Sequence, residues 1–551
     1  MAQHPAPTRA ARRQQWLAQL DAALRNYGVQ GAAQVALRAL ADGVEDASVL
    51  NLAAAAYHRE GRLEEAVGLL KRARALAPKD PHVLNSLGVC LRALGRNEEA
   101  LLAYEAAARA DPGMAPAHSN RGSLLKDMND MKGARAAYER AAELEPNYVE
   151  PLAALASLDA QAGDAASARA RAVGVLALAP SNVLARIALA FADIQQGDLA
   201  AAAERLAALR QDPAVTPLNR SIVLGLTGDL EDAEGRPAEA FAAYAASNAE
   251  VKALNVQRFE GPGATSALDT TRRLLSWFEA ADPGPWREAP PVRPRAADPK
   301  AHVFLVGFPR SGTTLLENVL AAHPDVVSLE EKECLSAVAA PYVESDKGLE
   351  RLARISDQEA ARQREAYWFR VRSFGIEPRG RVFIDKMPLS SALLPVVANL
   401  FPNARVLFAR RDPRDVVLSC FRRRFGMNAA MYQLLTIEGA AAYYDTIMRL
   451  SDLYRDLLPL PRHEVRYESL VDDFEGTARA ACDFLGLEWD EAMRDFAAKA
   501  RSRGISTPSA AQVARGLNRE GQGAWRRYRE QMAPVLPLLE PWVDRFGYAS
   551  G

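Results

Sequence analysis

From about residue 13 to residue 254, apolar positions recur at the three-to-four-residue spacing of amphipathic helices, in blocks punctuated by Gly, Asn or Pro. The blocks keep a fixed period. Pro78, Pro112, Pro146 and Pro180 lie 34 residues apart. Gly61, Gly95, Asn129, Gly163 and Gly197 repeat at the same interval, as do Ala66, Ala100, Ala134, Ala168 and Ala202. Tyr104 and Tyr138 share a further slot, and Gly235, Ala240 and Tyr244 carry the pattern into a less regular unit. Each period predicts two helices. The Gly or Asn stands where the first helix ends and reverses, the Ala lets the two approach, and the Pro bars continuation of the second. After Leu254 the period fades into one more helix, running to about Ala281, and then into the Pro-rich stretch DPGPWREAPPVRPRAADPK. From residue 301 short apolar runs alternate with helical segments, which predicts α/β units around a parallel sheet.

The period resembles the tetratricopeptide repeat, with about six units over residues 47–250 and a degenerate helix pair over 13–45. The expected architecture is an all-α repeat solenoid (13–254), a helix and Pro-rich linker (255–300), and an α/β domain with a central parallel sheet (301–551). Stacked repeats form a concave groove, so a peptide or partner protein is the expected occupant; a rigid spacer or dimerisation arm is the plainer role.

Composition narrows the field. Hydrophobic residues make up 49% of the 551 and charged residues 25%, which a folded protein of several units shows. Formal net charge is −1, and residues 301–551 hold 34 Lys and Arg against 33 Asp and Glu. A nucleic-acid partner is not expected, and any anion site must be local. Cys90, Cys334, Cys420 and Cys482 are far apart and predict no disulfide or zinc framework. No run is long enough to span a membrane, and the arginine-bearing N-terminus has no apolar segment behind it, so a cytoplasmic location is expected. The seven histidines show no metal-ligand spacing, and no metal is expected.

The chemistry concentrates after residue 301. The strand candidate His302–Val306 leads into GFPRSGTT, Gly307 to Thr314, and then a helical pattern. Backbone N–H groups at such a helix start converge on an anion; Ser311, Thr313 and Thr314 add hydroxyls and Arg310 adds a planar cation. Gly307 and Gly312 fit the spacing of a nucleotidase loop, yet Thr313 stands where its lysine would be, which argues against an ATP-dependent kinase or ordinary nucleotidase. A second strand, Arg381–Ile384, precedes Lys386. A third, Ala404–Ala409, ends in Arg410, Arg411 and Arg414, and its helix carries Ser419. Three arginines at the carboxyl end of a parallel strand are expected to face the ligand crevice, and Arg422, Arg423 and Arg424 extend the cluster.

VGFPRSGTTLLENVLAAHPDV, FIDKMPLSSALLPVVANLFPNARVLFARRDPRDVVLSCF and EVRYESLVDDFE together resemble the sulfotransferases that use 3′-phosphoadenosine 5′-phosphosulfate. The likeness is to bacterial sulfotransferases with tetratricopeptide repeats and, through them, to protein-tyrosine sulfotransferases. The resemblance covers roughly residues 300–530 plus the repeats. It implies a P-loop-like domain in which Arg310, Ser311, Gly312, Thr313 and Thr314 hold the 5′-phosphosulfate. By the same likeness Arg411 and Ser419, with Arg423, hold the 3′-phosphate. Lys386 then contacts the transferring group, and Glu331, eight residues after His323, is the catalytic base; its neighbour Glu330 is the alternative. Tyr467 and, by a looser alignment, Ser506 adjoin the nucleotide. One departure stands out: Ala524 precedes Trp525 where the family carries a basic residue, leaving Arg519, Arg526 or Arg527 to replace that contact.

Two readings follow. In the first the chain is a sulfotransferase acting on a hydroxyl, with a tyrosine of a peptide held by the repeats favoured over saccharides or small molecules. In the second it is a non-catalytic repeat scaffold with a nucleotide-binding regulatory domain. Acceptor identity and any homo-oligomer stay open.

Overall fold

A computed structural model describes residues 8–128, 130–287, 298–503 and 516–549. Two compact units divide the chain: one runs to Leu189, the other from Ala190 onward with Gln161–Ala165.

In the first unit paired helices follow the period: Ala47–Arg59 with Leu63–Leu76, Pro81–Ala93 with Asn97–Ala110, and Ala115–Asp127 with Met131–Leu144. Gly61 and Gly95 take φ of 75° and 74° at the reversals, a conformation that L side chains rarely adopt. The Asn129 position of that series lies outside the described residues. Pro78 and Pro112 follow the second helices. The Ala series is fully buried; Ala66, Ala100, Ala134 and Ala168 are each 0% exposed. Gly88 and Gly122 on first helices lie against Tyr104 and Tyr138 on second helices: a Cβ at Gly88 would stand 2.5 Å from the Tyr104 ring. These two repeats thus share a small-on-large contact, which recurs with Gly228 and Tyr244 in the second unit. The span Arg9–Ala41 is interrupted at Gly28, where φ is 63° and ψ −165°, giving two helical stretches ahead of the first full pair.

In the second unit the repeat helices Leu199–Gln211, Pro217–Ala233 and Pro237–Phe259 lead through Ala267–Ala280 to a five-stranded parallel sheet. Its strands are β1 (Ala301–Gly307), β2 (Val326–Glu330), β3 (Val382–Lys386), β4 (Arg405–Arg410) and β5 (Arg462–Arg466), in the order β2-β3-β1-β4-β5. Helices cover both faces, so the strands read as nearly unbroken apolar runs. Val303 and Leu305 join one core with the Thr313–Ala321 helix. Phe304 and Val306 join the other, with the Ile437–Leu457 helix and with Ala240 and Tyr244 of the last repeat. Because β1 is flanked by β3 on one side and β4 on the other, the chain reverses its winding at β1, where α/β sheets open a crevice at their carboxyl ends. The four cysteines are free and buried. Among the described residues, no helix is long and apolar enough to cross a membrane.

Candidate active site

β1 runs out at Gly307 and the chain turns through Phe308–Gly312 into the Thr313–Ala321 helix. The turn needs two positive φ values, 69° at Arg310 and 96° at Gly312. Gly312 is required there twice over, since a Cβ would meet the Tyr467 ring at 2.8 Å. Gly312 caps the helix without a side-chain bond, so the first amides of the helix face the turn. Ser311, Thr313 and Thr314 are buried around it.

Guanidinium groups gather against this turn. Arg310 Nε donates to Ser419 Oγ at 3.0 Å. Arg411 Nη1 donates to the Arg310 carbonyl at 3.1 Å, and its Nη2 to the Gly521 carbonyl. The Arg411 guanidinium lies 4.7 Å from the Tyr467 ring centroid. Its Nε is buried without a hydrogen-bond partner among the described residues. Burial, then the charges of Arg423 and Arg411, pull the Arg310 guanidinium down to about 9. A guanidinium disfavoured by burial and by neighbouring cations, with a donor left over, forms a cradle suited to a multiply charged anion. Phosphate groups fit this donor set.

The second half of the site is built by pairing β2 with β3. Their register sets Glu330 beside Lys386, and the Glu331 amide donates to the Lys386 carbonyl at 2.9 Å. There the chain turns sharply, with φ of 45° at Glu331. The Lys386 ammonium, 0% exposed, meets Glu331 Oε1 at 2.7 Å, Glu317 Oε2 at 3.4 Å and Glu330 Oε1 at 3.7 Å. Burial alone would lower the Lys386 ammonium, but Glu317, Glu331 and Glu330 raise it above its ordinary value. Among the described residues, Arg310 and Glu331 are the two non-glycine residues with positive φ. Such strain is held only where surrounding structure enforces it, and it clusters at functional sites.

Behind Lys386, on the opposite face of β3, Tyr367 Oη donates to Asp385 Oδ2 at 2.7 Å and stands 3.0 Å from His302 Nε2. Burial pushes the Asp385 carboxyl up to about 7 and pulls the His302 imidazole down to about 3.

Several arginines go elsewhere than the sequence pattern led one to expect. Of the three at the end of β4, only Arg411 reaches the turn. Arg410 pairs with Glu464 at 2.9 Å. Arg414 is buried, bonded to Asp412 at 2.8 Å and stacked on Trp525 at 4.0 Å. Arg422 turns to the repeat helices, where it meets Asp232 at 2.5 Å and Tyr244 Oη at 3.2 Å. Arg423 is half-buried and close enough to Arg310 to depress it. Arg424 is exposed. The helix that follows β4 has one face on the turn and another on the repeats, and a side chain can serve only one of them.

The segment around Ala524 lies over the turn: Gly523 and Trp525 amides donate to Asp415 at 2.7 and 2.9 Å, and Gly521 sits on Arg411. Arg519 pairs with Asp472 and Arg527 with Asp232, while Arg526 lies 5.5 Å from the Trp525 ring. Ser506 lies outside the described residues. Sequence reasoning passed over Glu317 and Asp415. A signal existed for Glu317: it follows Thr313 by four residues, on the same helix face, and is a lone carboxylate inside an apolar run.

A repeat array leading into an α/β unit with a cationic cradle and an adjoining Lys–Glu pair defines the class. Comparison with known proteins agrees with it. The sulfotransferase family matches residues 302–491, and tetratricopeptide repeats match residues 57–124 and 115–148. An uncharacterized protein of Aquifex aeolicus (strain VF5) is 26% identical over 262 residues, covering 45% of this chain and 33% of that protein. Protein-tyrosine sulfotransferase 2 of Gallus gallus is 28% identical over 264 residues, covering 45% of this chain and 69% of its own length. The protein-tyrosine sulfotransferase of Drosophila melanogaster is 29% identical over 276 residues, covering 45% and 53%. The matched stretch is thus one third of the Aquifex protein and about half of the fly enzyme. This chain carries tetratricopeptide repeats and a sulfotransferase-family domain.

Proposed function

We propose that this protein is a sulfotransferase that moves a sulfuryl group from 3′-phosphoadenosine 5′-phosphosulfate to an acceptor hydroxyl, with a tyrosine of a peptide or protein held by the repeats as the acceptor. The observation that carries the reading is the shared location of two strained elements. The Arg310 turn and the Glu331–Lys386 pair stand at the carboxyl ends of β1, β2 and β3, whose register is continuous from Leu305 through Lys386 to Glu330.

Arg310, Ser311, Gly312, Thr313 and Thr314 would hold the 5′-phosphosulfate, and Arg411, Ser419 and Arg423 the 3′-phosphate, with Tyr467 beside the nucleotide. The donor supplies an activated sulfur: the acceptor oxygen forms a bond to it while the sulfur–oxygen bond to the 5′-phosphate breaks, leaving that electron pair on the phosphate. Glu331 takes the acceptor's proton, a role worth roughly 100- to 10,000-fold. Lys386 and Arg310 offset charge that builds on the departing side, and positioning supplies much of the remainder.

The test is transfer of radiolabelled sulfate from the donor to a tyrosine peptide by the purified chain, beside calorimetry with 3′,5′-adenosine bisphosphate. Binding with transfer supports the reading. Binding without transfer to any acceptor of a lysate points to the regulatory scaffold, and failure to bind removes both.

A further inference from the structure

The three carboxylates around Lys386 are not equivalent. The side chain of Glu331 is 31% exposed at the crevice and that of Glu330 is 18% exposed, whereas Glu317 is 1% exposed. Ser328 Oγ donates to Glu317 Oε1 at 2.9 Å, which fixes one oxygen and leaves Oε2 facing the ammonium at 3.4 Å. Glu317 also rides on the helix that begins at the anion turn, one turn beyond Thr313, so a single rigid element links the cradle to the lysine. Its helix neighbours Leu316, Val319 and Leu320 lie in the apolar core. A carboxylate in such surroundings is costly unless it has a cationic partner.

The chemistry above exposes a difficulty. Once Glu331 has accepted the acceptor's proton it is neutral, and the shortest ion pair of Lys386 is gone. We propose that Glu317 is a positioning residue, the fixed counter-charge that keeps Lys386 protonated and aimed at the crevice while Glu331 changes protonation state. This rests on the reading of Glu331 as base and of the chain as a sulfotransferase. Other charged groups near the lysine do not duplicate the role. Glu330 of β2 stands off at 3.7 Å, and Asp385 of β3 points to the other face of the sheet, bonded to Tyr367. Glu317 exerts the largest single charge effect of the three carboxylates on the lysine, while Glu331 adds its hydrogen bond to its own charge.

A double-mutant cycle tests it. Glu317→Gln should lower kcat at least about tenfold, the factor that one pKa unit represents, with donor KM and affinity for 3′,5′-adenosine bisphosphate held within about twofold. In a Lys386→Met background the same substitution should change the residual kcat by less than about twofold. A merely structural role predicts equal losses in both backgrounds, and that result overturns the inference while the sulfotransferase reading stands. Ser328→Ala, which leaves the carboxylate but frees it, covers the case of a poorly folded Glu317→Gln. A smaller loss that vanishes in the Lys386→Met background supports the inference; an equal loss in both overturns it. A native chain that binds nucleotide yet transfers nothing overturns the functional reading, and this inference with it.

Discussion

Arg310 Nε donates to Ser419 Oγ at 3.0 Å, joining the anion turn to the helix after β4 across 109 residues of sequence. The bond orders a guanidinium that burial and neighbouring cations disfavour, so on the proposed reading both residues are set for an anion before one arrives. Ser419→Ala should therefore weaken 3′,5′-adenosine bisphosphate by about tenfold or somewhat more, the range for a hydrogen bond to a charged group. Calorimetry checks this, and unchanged affinity would show that neither Ser419 nor its bond to Arg310 serves the nucleotide.

Glu331→Ala removes the proposed base and leaves the cradle intact. Turnover should fall by roughly 100- to 10,000-fold while nucleotide affinity holds. Full activity in this variant would transfer the role to Glu330, which shares the lysine but stands farther from it.

Asp385 supplies a pH prediction. Its carboxyl is raised to about 7, above its ordinary 3.8, by burial. The folded state therefore binds this proton more tightly than the unfolded state between those values. Its contribution favours folding below the unfolded value and is lost as pH rises through about 7. Asp385→Asn, which copies the protonated form, should flatten the fall in stability between about pH 4 and 7. Denaturant melts of both proteins at several pH values measure it; parallel curves would contradict the assignment.

Asp232 holds Arg422 at 2.5 Å, Arg527 at 2.9 Å and Tyr528 Oη at 2.7 Å. Burial opposes its charge, yet Arg422, Tyr528 and Arg527 bring its pKa below the ordinary carboxylate value, so this part of the stability is present above that range and fades in acid. Asp232→Ala leaves a mostly buried guanidinium unpaired and should cost about 3–5 kcal/mol. Asp232→Leu combined with Arg422→Met should recover most of it. Thermal unfolding decides, and a double variant no better than the single one would mean that the pair is not the source.

Much was readable in the chain itself. Glycine and proline declare themselves by backbone needs that hardly depend on context, so the 34-residue period fell on observed reversals such as Gly61 and Gly95. The turn after β1 was readable for the same reason, because Gly312 answers a local φ. The arginines were not: Arg410, Arg411, Arg414 and Arg422 look alike as letters, and each takes whichever carboxylate, carbonyl or ring the packing brings near. Glu317 was hidden by lying in an ordinary amphipathic helix.

Periodicity, turns and the chemistry of the loop are short-range properties, set by residues within one or two helical turns, and the linear order of residues was enough to specify them. Which groups meet was settled by strand pairing and by the docking of repeat helices on the α/β unit. Lys386 meets Glu331 across 55 residues only because β2 pairs beside β3 in one register, and a slip of one residue would have turned that lysine to the other face of the sheet.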